Sequence, residues 1–194
     1  KMVSQQLFVE NFASDPRTVN VAQSLMQRLF EQEKYIESMR WANWLLSGDK
    51  LNGLAYARAN LPEASLSEQH IGVHELEKES LISARLVLAH GNFALENYVV
   101  AQAGYETLLS ILPADDERIK ELTNRLAATF FQQSEQILAS ANVKEALAAP
   151  IPEGEDIAVL SETQKLALAD SVALLQRIMR QTPNSTFRAA AQYD

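Results

Sequence analysis

The sequence predicts an all-α protein made of antiparallel helical hairpins stacked on one another. Three observations carry that expectation. Apolar residues recur at three- and four-residue spacing along most of the chain, strand-like alternation is nowhere sustained, and Ser, Asp, Pro and Gly fall where helices would start and stop. With 194 residues, 47% of them hydrophobic, the chain can bury a core without disulfides or a metal. It has no cysteine, which excludes thiolate chemistry and cysteine metal sites and fits an oxidising compartment as well as a reducing one.

A short first helix is expected from Met2 to Phe12, with Leu7 and Phe8 as its packing residues. Asp15 followed by Pro16 then reads as a helix start, a side-chain acceptor ahead of a residue with no N–H to satisfy. Val19, Ala22, Leu25, Met26, Leu29 and Phe30 form one face of the helix that follows. After the polar interruption Glu31–Lys34, a partner helix presents Tyr35, Met39, Ala42, Leu45 and Leu46 and ends near Ser47–Gly48. Asp49 to Gly53 is rich in turn formers, and Leu54 to Asn60 reads as a short helical piece broken by Pro62.

Ser65 and Glu68 have capping-box spacing and open another helix, which His90–Gly91–Asn92 is expected to stop or slow. The next carries Tyr98, Ala101, Tyr105, Leu108, Leu109 and Leu112 and is closed by Pro113. Asp115 or Asp116 would cap a long helix with Ile119, Leu122, Leu126, Phe130 and Ile137 as apolar positions and a Glu121–Arg125 pair on its surface. Residues 148–160 hold Pro150, Pro152 and Gly154 beside three acids and read as the longest and most mobile break in the chain. Ser161 with Gln164 opens a helix whose face is read as Leu166, Ala169, Val172, Ala173, Leu175, Ile178 and Met179. Thr182–Ser185 ends it and caps a last helix with Phe187 and Ala190. The expected organisation is therefore hairpins over 1–147, an acidic loop over 148–160, and a final hairpin over 161–194 that continues in a longer protein or packs on its predecessor.

The second helices repeat a pattern, as Y-I-E-S-M-R-W-A-N-W-L-L from Tyr35 to Leu46, as Y-V-V-A-Q-A-G-Y-E-T-L-L-S-I-L-P from Tyr98 to Pro113, and more weakly as S-V-A-L-L-Q-R-I-M-R-Q-T-P from Ser171 to Pro183. In the middle copy Ala101 precedes Tyr105 by one turn, and Leu108–Leu109 and a proline follow. The first helices keep Ala22, Leu25, Met26, Leu29 and Phe30, with Glu33 where glycine is usual, and Leu88, Ala89 and Phe93 around Gly91. These patterns resemble the tetratricopeptide repeat, a helix–turn–helix unit of about 34 residues. Tyr35 and Tyr98 are 63 residues apart, so an irregular unit would intervene. An irregular helical bundle is the alternative architecture. The resemblance implies a right-handed solenoid that binds a protein or peptide on a concave surface, as an adaptor or assembly module.

Charge and motifs narrow the function classes. Net charge is −8, with Lys+Arg at 17 against 25 Asp+Glu, which argues against a nucleic-acid partner. The acidic excess gathers at Asp115, Asp116, Glu117 and Glu121 and at Glu153, Glu155 and Asp156, a solvated surface or a dock for a basic partner. No apolar run of about 18 residues exists, so membrane insertion by this chain is not expected, and location stays open between cytoplasm and bacterial periplasm. Lys1 ahead of Met2 reads as a tag remnant, a processed end or an excised fragment. There is no G-x-S-x-G elbow, no G-x-x-x-x-G-K-[ST] loop and no G-x-G-x-x-G run. No catalytic activity, cofactor or metal is therefore expected. His70 and His74 lie one turn apart beside Glu75, short of a complete zinc set.

The remaining candidates are aromatic. Trp41 and Trp44 are three apart beside Arg40, crowded for one narrow hairpin core, and both are read first as core or inter-hairpin packing. The alternative puts one on a partly exposed face as a contact anchor, which makes Trp41, Trp44 and Arg40 candidate protein-binding residues. Tyr98 and Tyr105 are further candidate protein-binding residues, and Phe187 with Ala190 candidates for self-association as a homodimer or longer array. The leading reading is a non-enzymatic interaction scaffold. A ligand- or metal-binding bundle and a structural or regulatory segment of a larger envelope protein are the alternatives.

Overall fold

The computed structural model describes residues 2–12, 15, 17–47, 66–151 and 158–193, with backbone alone for Met2, residues 66–77 and Tyr193. Among the described residues all regular structure is helical: α1 (Met2–Asn11), α2 (Thr18–Glu31), α3 (Tyr35–Leu46), α4 (Leu66–Ala94), α5 (Tyr98–Ile111), α6 (Ile119–Ser140), α7 (Val143–Ala148), α8 (Glu162–Gln181) and α9 (Ala190–Tyr193). The all-α expectation is met. Contacts divide the chain into two compact units, Lys1–Gly104 and Tyr105–Asp194, so the division falls within α5 and not at the acidic loop. The helical piece at Leu54–Asn60, Ser65, and 152–157 of that loop lie outside the described residues.

In the first unit α1 packs on α2 through Val9, which is buried, while Leu7 points outward and Phe8 is half-buried with its ring stacked on Phe12 at 5.3 Å. The packing residue of α1 is thus Val9, not Leu7. The Asp15 carboxylate accepts the Arg17 N–H at 2.8 Å and clamps the Arg17 guanidinium, but the helix itself starts at Thr18. From there Val19, Ala22, Leu25, Met26 and Leu29 are buried, the stripe the spacing predicts. Each such side chain taken out of water contributes about 1.5–3 kcal/mol, the small alanine less.

The turn from α2 to α3 is a Schellman motif. Lys34 N–H bonds Leu29 O and Glu33 N–H bonds Phe30 O, both at 2.9 Å, with Glu33 in the left-handed region at φ 58°. Sixty-three residues on, Asn97 N–H bonds Asn92 O at 2.9 Å, Glu96 N–H bonds Phe93 O at 3.0 Å, and Glu96 has φ 61°. Each turn carries a Phe–Tyr pair with ring centroids 5.2 Å apart, edge to face: Phe30–Tyr35 and Phe93–Tyr98. The two helix–turn–helix units are therefore equivalent in local geometry.

His90–Gly91–Asn92 does not stop α4, which runs on to Ala94. The glycine serves a crossing. A Cβ on Gly91 would lie 2.7 Å from the Met39 Sδ, so its absence lets α4 press against α3, and Asn92 stays helical with its side chain donating to Leu88 O at 2.8 Å. Gly104 does the same between α5 and α4, where a Cβ would sit 2.9 Å from the Ala89 Cβ. In the first pair the small position is Ser38, buried, its hydroxyl donating to Met26 O at 2.8 Å.

In the second unit the pattern of the first start recurs: Asp116 accepts the Arg118 N–H at 2.9 Å and clamps its guanidinium, and α6 begins at Ile119. Leu122, Leu126, Ala127 and Phe130 are buried, as the spacing predicts, and Tyr105, Leu108 and Leu112 are buried too. The Ser161–Gln164 capping box forms as expected and starts α8. The face of α8 needs correction. Its buried residues are Ala167, Ser171, Leu175 and Ile178, while Leu166, Val172 and Met179 are exposed. The close crossing of α6 and α8 decides this: the Ser134 and Ser171 hydroxyls meet at 2.7 Å, a separation that admits small residues and turns the larger ones outward. Thr182–Ser185 does end α8, but the last helix is only Ala190–Tyr193, and Phe187 lies in the turns before it.

Candidate functional site

The repeated pairs of the first unit create a groove. Phe30 and His90 have ring centroids 6.4 Å apart, and the Gly91 site lies beside the Tyr35 Cβ, so the C-terminal ends of α2 and α4 meet at the edge of the unit that carries both turns. Between these helices runs a groove of about 240 Å³, lined by Met26, Gln27, Phe30 and Glu31 of α2 and by Ser83, Leu86, Val87 and His90 of α4. Its floor is thioether, ring and aliphatic carbon. Gln27, Glu31, Ser83 and His90 are its polar groups.

The residues singled out in the sequence do not gather in one place. Trp41 is 6% exposed and belongs to the core with Ala42 and Leu45, while Trp44 is half-buried, its ring centroid 6.1 Å from that of Trp41. Trp44 packs against the same core as Trp41 while keeping part of its surface exposed. Arg40 is exposed next to them. Tyr98 and Tyr105 are buried core side chains, which removes them from any surface; burial pushes the Tyr105 phenol well above the usual tyrosine range, and burial followed by the Glu96 charge raises that of Tyr98. Phe187 is half-buried against Phe131 at 5.8 Å, and Ala190 is half-buried, so both take part in holding the last turns in place.

The acidic start of α6 lines an open depression of about 530 Å³ with Asp115, Asp116, Glu117, Lys120, Asn124 and Asn184. Asp116 is committed to Arg118 there, at 2.7 Å. Among the described residues no three of His, Cys, Asp or Glu gather into a metal-binding group, and the side chains of His70, His74 and Glu75 lie outside them. No helix among the described residues is long and apolar enough to cross a membrane.

The α2–α4 groove was not read from the sequence. Its signal is there: Met26, Gln27, Phe30 and Glu31 fall on adjoining i, i+3 and i+4 positions, as do Ser83, Leu86, Val87 and His90. What hides it is that Met26 and Phe30 also satisfy the core stripe, so one face serves two neighbours. Compared with family models, curated proteins and solved structures, this chain finds no match.

Proposed function

We propose that this chain is a non-enzymatic protein-interaction module, a degenerate tetratricopeptide-like scaffold that binds a segment of a partner protein in the groove between α2 and α4. One observation carries the reading: two helix–turn–helix units with matching Schellman turns and matching Phe–Tyr pairs stand 63 residues apart, and their first helices flank an open groove with an apolar floor. Stacked units of this kind bury their core between neighbours and leave the space between first helices as a surface for recognition. About half of the excess over a repeat of about 34 residues lies in α4, which has 29 residues against 14 in α2, and the rest falls in the stretch of sequence between Leu46 and Leu66. The groove is also below the roughly 300 Å³ at which small-molecule pockets begin, which favours a protein side chain over an enclosed metabolite.

The test is a photo-cross-linking amino acid at Ser83, with Gln27→Trp as a variant that fills the groove. Gln27 is exposed, so the variant should keep the helical circular dichroism and melting temperature of the parent. A discrete cross-linked protein that disappears with Gln27→Trp is the expected result. Cross-linking that ignores the filled groove, or that is lost only with Trp44→Ala, would move the interaction surface elsewhere.

A further inference from the structure

The groove carries a chemical preference of its own. Elsewhere, among the described residues, this protein twice surrounds an arginine with an aromatic face and a carboxylate. The Arg177 guanidinium lies 4.3 Å from the Phe130 ring centroid and bonds the Glu106 carboxylate at 2.7 Å; Arg17 lies 5.6 Å from the Phe8 ring while clamped by Asp15. The α2–α4 groove assembles the same two partners, the Phe30 ring and the Glu31 carboxylate, yet among the described residues no arginine or lysine lines it. The Arg28 guanidinium, one position outside, is held toward α1 by Gln5 at 3.0 Å. Leu86 and Val87, both half-buried, add the apolar wall that the methylene stem of a long cation lies along, and Gln27 and Ser83 add acceptors.

We infer that the groove receives one arginine side chain of the partner protein, its stem on Leu86 and Val87, its guanidinium between the Phe30 ring and the Glu31 carboxylate. The inference rests on the scaffold reading above and names the chemistry of that same site. Arginine is preferred to lysine because a planar, weakly hydrated guanidinium stacks on a ring and meets a carboxylate with two parallel N–H groups, whereas an ammonium does neither. A leucine, shorter and uncharged, would use the apolar wall but leave Glu31 idle.

The probe is a short capped synthetic peptide with one arginine between two leucines, beside two otherwise identical peptides carrying citrulline, a neutral isostere, or glutamate. Each is titrated to millimolar concentration into the ¹⁵N-labelled protein while amide shifts are followed. The expected result is saturable shifting at Gln27, Glu31, Ser83 and His90 with the arginine peptide. Affinity should fall at least about fivefold with citrulline and again with Glu31→Gln, as for loss of a charge-assisted hydrogen bond. Equal affinity for arginine and citrulline, shifts centred elsewhere, or no saturable shift with any peptide would each overturn it. The scaffold reading is separable: a partner cross-linked from Ser83 that survives Glu31→Gln but is lost with Gln27→Trp leaves the scaffold standing and the arginine wrong, and one that survives both removes the scaffold as well.

Discussion

The two units solve the same problem, bringing two helices close, with different residues. In the unit 1–104 two crossings are made by glycine, Gly91 beneath Met39 and Gly104 beneath Ala89, beside one at which the Ser38 hydroxyl bonds backbone, Met26 O. In the unit 105–194 the α6–α8 crossing is made by a pair of hydroxyls, Ser134 and Ser171, each about 1% exposed and 2.7 Å apart. Glycine reaches close approach by having nothing to move and costs about 1 kcal/mol of helix propensity for each residue. The serine pair keeps propensity closer to that of ordinary residues but ties each hydroxyl to the other, since a buried hydroxyl without a partner is costly.

That difference can be broken in order of effect. Gly104→Ala is expected to destabilise most, by about 1–2 kcal/mol, because the new Cβ would meet the Cβ and backbone of Ala89, neither of which can turn aside. Gly91→Ala is its control: the obstacle there is the flexible Met39 thioether, and the propensity gain of about 1 kcal/mol should leave urea midpoints within about 0.5 kcal/mol of the parent. Equal losses at the two glycines would contradict this account.

At the hydroxyl pair, Ser171→Ala alone should cost about 1 kcal/mol by leaving Ser134 unsatisfied, and Ser134→Ala should do the same, while the double variant should recover most of the loss. A double-mutant cycle in chemical denaturation reads the coupling directly. Strictly additive losses would mean that the pair is not a unit. Smaller still, and opposite in sign, Glu33→Gly and Glu96→Gly should each stabilise by roughly 0.5–1 kcal/mol, because glycine reaches the left-handed region without a Cβ clash. Equal gains at the two turns would sharpen the equivalence of the repeats; a gain at only one would weaken it.

The smallest effect is set by pH. The Arg17 side chain, followed by its backbone N–H, holds the Asp15 carboxyl at about 2, below its ordinary 3.8. A carboxyl depressed on folding contributes stability that is complete above its unfolded value and is lost as pH falls from about 4 toward 2. Asp15→Asn should therefore lower the melting temperature slightly in the neutral region, converge with the parent near pH 2, and so flatten the acid limb between them.

These crossings also mark how far the sequence could be read. The inward face of α2 was legible because Val19, Ala22, Leu25, Met26 and Leu29 are both apolar and buried, and the start of α8 because Ser161 and Gln164 form a local device that needs no tertiary context. Where a crossing selects small residues, apolarity points the wrong way. On α8 it favours Leu166, Val172 and Met179, but the neighbour demands Ala167 and Ser171. Gly91 misleads likewise, since a glycine that admits another helix looks in sequence like one that ends its own. Of the candidate contact residues, Trp44 packs on the same core as Trp41 while staying partly exposed, an outcome between the two readings of the hairpin, whereas the burial of Tyr98 and Tyr105 depended on neighbours far along the chain or across a turn. The groove was hidden for the same reason, because it belongs to two helices at once.

The contact between Met39 and Gly91 gives this molecule an oxidant-sensitive joint. With no cysteine and four methionines, its sulfur chemistry is confined to thioethers. The Met39 sulfur occupies the space where the missing Cβ of Gly91 would be, between α3 and α4. Oxidation to the sulfoxide adds a polar oxygen to a sulfur with a helix backbone against it, so the oxygen must displace α4 or swing the side chain toward water. Damage at one half-buried atom would therefore loosen the seam between the two repeats, and sulfoxide reduction would close it again.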